Sequence, residues 1–188
     1  LIFIERGFKT PLKSLIIPIM EKQNFYDLNF DQLKFFLIDK AEVDSNKAKM
    51  RAQQMFNAVY KKNIQSLDEL TTFGLELREK IKNLISLDKP KIIDIQKSKD
   101  GTIKFLLELR DKRNVETVLI PDKTQSRYTI CLSVSVGCYL SCEFCATAQI
   151  SKKLVRNLSP GEIISQIILC KDYIDDWSTQ KKITNQVL

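Results

Sequence analysis

The chain has 188 residues and no histidine. That absence bears first on metals. A structural zinc site built from thiols wants a fourth Cys or His close to the others, and no histidine can supply it. Glycine and proline are scarce, with five of each, while lysine and isoleucine are abundant. That bias has the character of genome composition rather than of function. No window reaches the roughly 18 consecutive apolar residues a membrane-spanning helix needs. Residues 15–20 are apolar but few, and Pro18 breaks them. The order of a signal peptide is missing as well, and so is any internal repeat. The expectation is a cytoplasmic chain with no membrane partner, because reduced thiols belong to a reducing compartment.

What the chain does contain is 44% hydrophobic residues, enough for a core, and a formal charge of +7 with a pI of about 9.1. The length allows one or two small domains. The charge is compatible with a polyanionic partner, although many lysine-rich proteins share it.

Three of the five cysteines fall within Gly137-Cys138-Tyr139-Leu140-Ser141-Cys142-Glu143-Phe144-Cys145. A strand-like run over 128–136 precedes them, and a helix-like run over 159–173 follows. The three thiols therefore lie on a loop leaving a strand. A cubane iron–sulfur cluster closed by protein takes four thiolates. Three at close spacing hold three irons and leave one open, as a catalytic metal site requires. Phe144 before the last thiol suits a shielded cluster pocket. Two other readings stand beside this one: inert buried cysteines, and a zinc site completed from elsewhere. Cys131 and Cys170 are not at usual zinc-pair spacing. Cys131, on the strand, reads as a small core residue, and Cys170, in an apolar helix with Ile164, Ile167, Ile168 and Leu169, reads as core.

Before the cysteines the pattern divides in two. From Asn24 to about Leu87 it is helical. Leu33, Phe36 and Leu37 follow Asp31 at helical spacing. Met55, Phe56, Val59 and Tyr60 share one face, ringed by Lys47, Lys49, Arg51, Lys61 and Lys62. Ser66-Leu67-Asp68-Glu69 is a capping box, and Leu75, Leu77, Ile81, Leu84 and Ile85 form a further apolar face. The lysines read either as a solvated helix surface or as a nucleic-acid face. Pro90 stops the helices. Alternation then takes over: Ile92 to Ile95, a hairpin at Asp100-Gly101, Ile103 to Leu107, a turn at 110–114, Val115 to Ile120, and a turn at Pro121-Asp122-Lys123. Alternation puts Glu116 and Val118 on one face and Val115, Thr117 and Leu119 on the other. By itself Glu116 reads as a solvent-facing strand carboxylate. Ser159 and Pro160 read as N-cap and first position of the last helix, after a basic stretch of Lys152, Lys153 and Arg156.

Cys-x3-Cys-x2-Cys with an aromatic before the last thiol resembles the radical S-adenosylmethionine (SAM) superfamily. The surrounding residues narrow the resemblance. Val115-Glu116-Thr117-Val118-Leu119-Ile120-Pro121, Cys131-x-Ser133, Val136-Gly137-Cys138, Phe144-Cys145-Ala146-Thr147 and Arg156-Asn157-Leu158 are similar to the RlmN-type dual-specificity 23S rRNA and tRNA adenine-C2 methyltransferases. The similarity runs from about Asn24 to Leu188 and is sharpest over 115–162. It implies a [4Fe–4S] cluster on Cys138, Cys142 and Cys145 that chelates SAM, Glu116 as proton acceptor, and Cys131 as the cysteine of a transient disulfide. It implies 23S rRNA and tRNA as substrates, an electron donor such as flavodoxin or ferredoxin, and a monomer.

The fold implied is α+β to α/β. Residues 1–23 form an unmatched extension and 24–89 a helical accessory domain engaged with RNA. Residues 90–127 form a short antiparallel β segment, and 128–188 the first βα unit of a partial radical SAM (β/α) barrel, with the start of a second strand over 183–188. The loop between Cys145 and Arg156 is about two residues longer than the family pattern, and Ser135 stands where Gln is usual. The family's Gly-x-Gly-Glu-Pro stretch and late methyl-carrying cysteine have no match, so the resemblance implies a chain cut short at its C-terminus and inactive alone. A non-catalytic RNA-binding remnant, or a small metal-binding module, is the alternative.

Overall fold

The structure, a computed structural model, describes residues 22–122, 126–138, 142–143 and 156–188. Two hydrophobic cores share one helix. The first is helical. Strand β1 (Gln23–Asn24) leads into a 3₁₀ turn at Phe25–Asp27, then α1 (Phe30–Asp39), α2 (Ser45–Tyr60) and α3 (Leu75–Leu84). Asn29 opens α1 with a capping box to Gln32, which satisfies first-turn donors that the helix cannot. Leu33, Leu37, Met55 and Val59 are buried, as their spacing predicts, and Phe56 and Tyr60 pack against them.

Two expectations are corrected here. The Ser66 capping box forms with both of its bonds, but it caps a 3₁₀ turn at Leu67–Glu69; α3 begins only after Gly74. Leu75 therefore falls off the apolar face and is 76% exposed. Ile85 is buried, but as strand β2 (Ile85–Ser86), paired in parallel with β1.

The second core lies under a sheet. Strands β3 (Lys91–Lys97), β4 (Ile103–Glu108), β5 (Asn114–Pro121) and β6 (Tyr128–Cys131) form the expected antiparallel meander. Gly101, at φ +88°, takes the left-handed position of the first hairpin, which glycine occupies without a Cβ penalty. Ile93 is the extra residue of a bulge between Ile92 and Asp94.

Helix α4 (Pro160–Ile174) then crosses to β9 (Ile183–Val187), which pairs in parallel with β6, so the order is β3-β4-β5-β6-β9. Parallel pairing through a helical crossover is the βαβ unit. Ser159 caps α4, its hydroxyl accepting from the Glu162 N–H while Glu162 reaches back to the Ser159 N–H. Buried Asp176 accepts from the Lys182 and Ile183 N–H groups and fixes the start of β9.

Helix α4 is the wall between the cores. Ile168 belongs to the helical core and Cys170 to the sheet core. Its first turn docks where the Gly161 N–H donates to Asp27 Oδ1 at 2.7 Å. Near its end, Asp172 accepts from Asn63, Trp177 and Lys89, the last at 2.7 Å. The structure is thus mixed α/β, and no helix among the described residues is long and apolar enough to cross a membrane.

Candidate functional site

The strand-like run over 128–136 is broken. Strand β6 ends at Cys131, and residues 132–134 leave the sheet. The chain re-forms as β7 (Ser135–Val136), paired with β8 (Arg156–Asn157). Backbone groups must be paired somewhere, and here a side chain takes over the ladder. The Leu132 N–H still reaches Val187 O at 2.9 Å. The Ser133 N–H goes instead to Gln166 Oε1 at 3.0 Å, and Ser133 O accepts from Gln166 Nε2 at 2.9 Å.

The β7–β8 pair closes the base of the cysteine loop. Gly137, at φ +78°, turns the chain, and its carbonyl accepts from the Ser135 hydroxyl. Cys138 follows, half-buried, as is Cys142. Cys145, Phe144, Ala146 and Thr147 lie outside the described residues, as do Lys152 and Lys153. Among the described residues no three His, Cys, Asp or Glu side chains gather around one point. Cys138 follows the end of β7, and with Cys142 and Cys145 it forms one short cluster in the sequence.

Arg156, the last residue of the basic stretch, is enclosed by carboxylates. Its guanidinium holds both Glu162 oxygens at 2.7 Å and Asp111 Oδ2 at 2.8 Å. This bidentate geometry is the strong one for Arg and carboxylate. Burial pushes the Glu162 carboxyl up, but the Arg156 guanidinium and the Ser159 N–H outweigh it and hold it below the usual range. The loop base, the 110–113 turn and the first turn of α4 are thereby one unit.

Glu116 sits in β5, exposed, with Oε1 at 3.0 Å from Lys104 Nζ. Cys131 lies opposite Val118 in the β5–β6 ladder. Opposed residues point to the same face, and alternate residues along a strand share it. So Glu116, Val118 and Cys131 occupy one face, the one α4 does not cover. Ser133 continues that row, its hydroxyl donating to Glu116 O at 2.7 Å. The two residues singled out in the sequence, distant in the chain, are neighbours on the open face beside the exit to Cys138.

Sequence reasoning missed Gln166 and Thr117. Both are fully buried, and the Thr117 hydroxyl donates to Gln166 Oε1 at 2.7 Å. The available signal was a lone amide in the run Ile163 to Leu169. In the helical layer, Lys34, Lys40, Lys80 and Lys82 are each within 3.2 Å of a carboxylate. Lys47, Lys49, Lys61 and Lys62 are exposed.

No protein-family model matches the chain. A Staphylococcus epidermidis protein described as a probable dual-specificity RNA methyltransferase RlmN is 35% identical over 176 residues, 94% of this chain and 45% of its own length. Proteins of the same description from Staphylococcus saprophyticus and Staphylococcus aureus are 35% and 34% identical over the same shares. The crystal structure of a radical SAM methyltransferase from Sphaerobacter thermophilus superposes with a TM-score of 0.73 at 29% identity, covering 88% of this chain and 46% of that one. The fold is thus shared with a radical SAM methyltransferase, and the chain is homologous to proteins of that class. More narrowly, its homologues are of the RlmN type. The chain spans about half the length of the relatives it matches.

Proposed function

We propose that this chain is the cluster-binding portion of an RlmN-type radical SAM methyltransferase acting at C2 of adenine in 23S rRNA and tRNA. The observation that carries the reading is the juxtaposition of Glu116 and Cys131 on the open sheet face beside the loop that bears Cys138 and Cys142. Open α/β sheets bind ligands beyond the carboxyl ends of their strands, and the loop leaves the carboxyl end of β6. The donor set fits the group: three closely spaced thiols and no histidine, with Cys138 and Cys142 half-buried.

Cys138, Cys142 and Cys145 would hold a [4Fe–4S] cluster with one iron open to SAM. Bound there, cluster and SAM supply one-electron chemistry, which reaches a carbon whose hydrogen is not acidic. The chain's own groups do the rest. Glu116 takes the proton released from the adenine, with Lys104 beside it as counter-ion. Cys131 offers the thiol of the transient disulfide that frees the product. The methyl-carrying cysteine of the family, the other half of that disulfide, is not assigned to any of the five cysteines here. The start of a (β/α) barrel at 128–188, an RNA-engaging helical layer at 24–89, a flavodoxin or ferredoxin donor, a monomeric state and a cytoplasmic location belong to the same proposal.

Anaerobic reconstitution with iron and sulfide tests it. The expected product is brown and carries about four irons per chain, and Cys142→Ala loses them. Unchanged iron in Cys142→Ala would remove the ligand assignment. A colourless protein with one zinc per chain would replace the cluster by a zinc site.

A further inference from the structure

We propose that Gln166 is a positioning residue for the cysteine loop. Its buried amide fixes where the chain leaves the sheet on the way to Cys138, and holds that exit against the strand carrying Glu116. The inference rests on the cluster reading above, and concerns a residue that touches neither cluster nor substrate.

A primary amide has two acceptor lone pairs and two donor hydrogens, and all four are used here. Oε1 accepts from the Thr117 hydroxyl at 2.7 Å and from the Ser133 N–H at 3.0 Å. Nε2 donates to Ser133 O at 2.9 Å and to Glu162 O at 3.2 Å. Ser133 thus gives both of its backbone groups to one side chain, as it would to a neighbouring strand. The amide acts as a one-residue piece of strand, projected from α4.

The position of this substitute strand matters. Up to Leu132 the backbone still pairs with β9. From Val134 onward it belongs to the β7–β8 pair, beginning with the Leu158 N–H on Val134 O at 2.8 Å. Ser133 is the handover. The residues around it are strand-like, so without Gln166 the ladder would run straight on and the cysteine loop would start elsewhere. The same handover grips Glu116 from two sides: Ser133 Oγ holds its carbonyl, and Gln166 holds the hydroxyl of the next residue, Thr117.

A space-filling role does not account for this. An apolar side chain at 166 would suit the run Ile163 to Leu169 without partners. A buried amide is tolerable only when every bond is made, and then it specifies one geometry. By fixing the backbone at Ser133, five positions before Cys138, such a residue governs how well the ligands that follow are held.

The test uses the whole chain. Gln166→Met keeps length and bulk and removes all four bonds. Thr117→Val is isosteric and removes one, and Thr117→Ser restores the hydroxyl. The readouts are the circular dichroism spectrum, hydrogen exchange at the Ser133 amide, loss of iron from the reconstituted cluster to a competing chelator, and the paramagnetic signal of the reduced cluster. With folded spectra, Thr117→Val speeds exchange about fivefold, the loss of one hydrogen bond. Both variants lose iron about tenfold faster and change the paramagnetic signal, and Thr117→Ser resembles the parent.

Folded variants with the parent's iron retention and signal would overturn the inference, even with faster exchange, because the role would then be structural only. Should Gln166→Met not fold, Thr117→Val decides alone. A parent chain that takes up no iron fails the cluster reading itself, and the inference falls with it. Parent and variants that load alike fail only the inference.

Discussion

The two faces of the five-stranded sheet have the same alternation and opposite contents. One face meets α4 and is lined by Phe105, Leu107, Val115, Leu119 and Ile130, all buried. The other carries Lys104, Glu116, Val118, Ile120 and Cys131, half-buried or exposed. The single crossover from β6 to β9 produces the difference, since a helix returning to a parallel neighbour covers one side. Burial on that side holds the sheet together. The uncovered side keeps the ionisable and nucleophilic groups, for which burial would require partners.

The largest expected effect tests the covered side. Phe105 is 1% exposed and meets the Tyr173 ring edge-on at 5.0 Å between centroids. Phe105→Ala is expected to cost about 3–5 kcal/mol in urea unfolding, from lost transfer energy and a residual cavity. Glu116→Gln on the open side is expected to stay within about 0.5 kcal/mol, because its exposed ion pair contributes little. Equal costs for the two would erase the division between the faces.

A smaller effect tests the helix that makes the division. A Cβ on Gly161 would stand 2.5 Å from Asp27 Oδ1 and 2.9 Å from its backbone nitrogen. The carboxylate could swing away, but only by giving up its bond to the Gly161 N–H, and the backbone could not move without shifting the 3₁₀ turn. Gly161→Ala is expected to destabilise by about 1–3 kcal/mol, despite the better helix propensity of alanine. A neutral or stabilising result would mean that α4 is seated on the helical layer mainly through Asp172 and Ile168.

These contrasts show what the sequence made legible. The Asp100-Gly101 hairpin, the Ser159 cap and the alternation around Glu116 depend on residues a few positions apart, so local pattern sufficed. The cysteine spacing was legible for the same reason. The break after β6 was not, because its cause is Gln166, 33 positions from Ser133. Nothing in a run of strand-like residues announces a side chain that will take over its ladder. Arg156 is a second case: beside Lys152 and Lys153 it reads only as part of a basic stretch, and its partner Asp111 is 45 positions away. The Ser66 box shows a different limit, for capping chemistry marks a first turn without fixing how many turns follow.

The last contrast costs little stability and reads the faces directly through their cysteines. Cys131 points to the open side, whereas Cys170 is 1% exposed in the sheet core, where burial pushes its thiol up to about 12. The thiolate is the reactive form, so Cys170 is protected twice, by access and by protonation. In the metal-free chain at about pH 8, iodoacetamide is expected to modify Cys131 at least about a hundredfold faster than Cys170. Mass spectrometry of the digest reads the ratio, and Cys170 should react only when denaturant unfolds the sheet. A fast Cys170 would mean that α4 lifts from the sheet on the timescale of the reaction. A slow Cys131 would mean that the open face is covered, and a carboxylate and a thiol placed there could not meet a base.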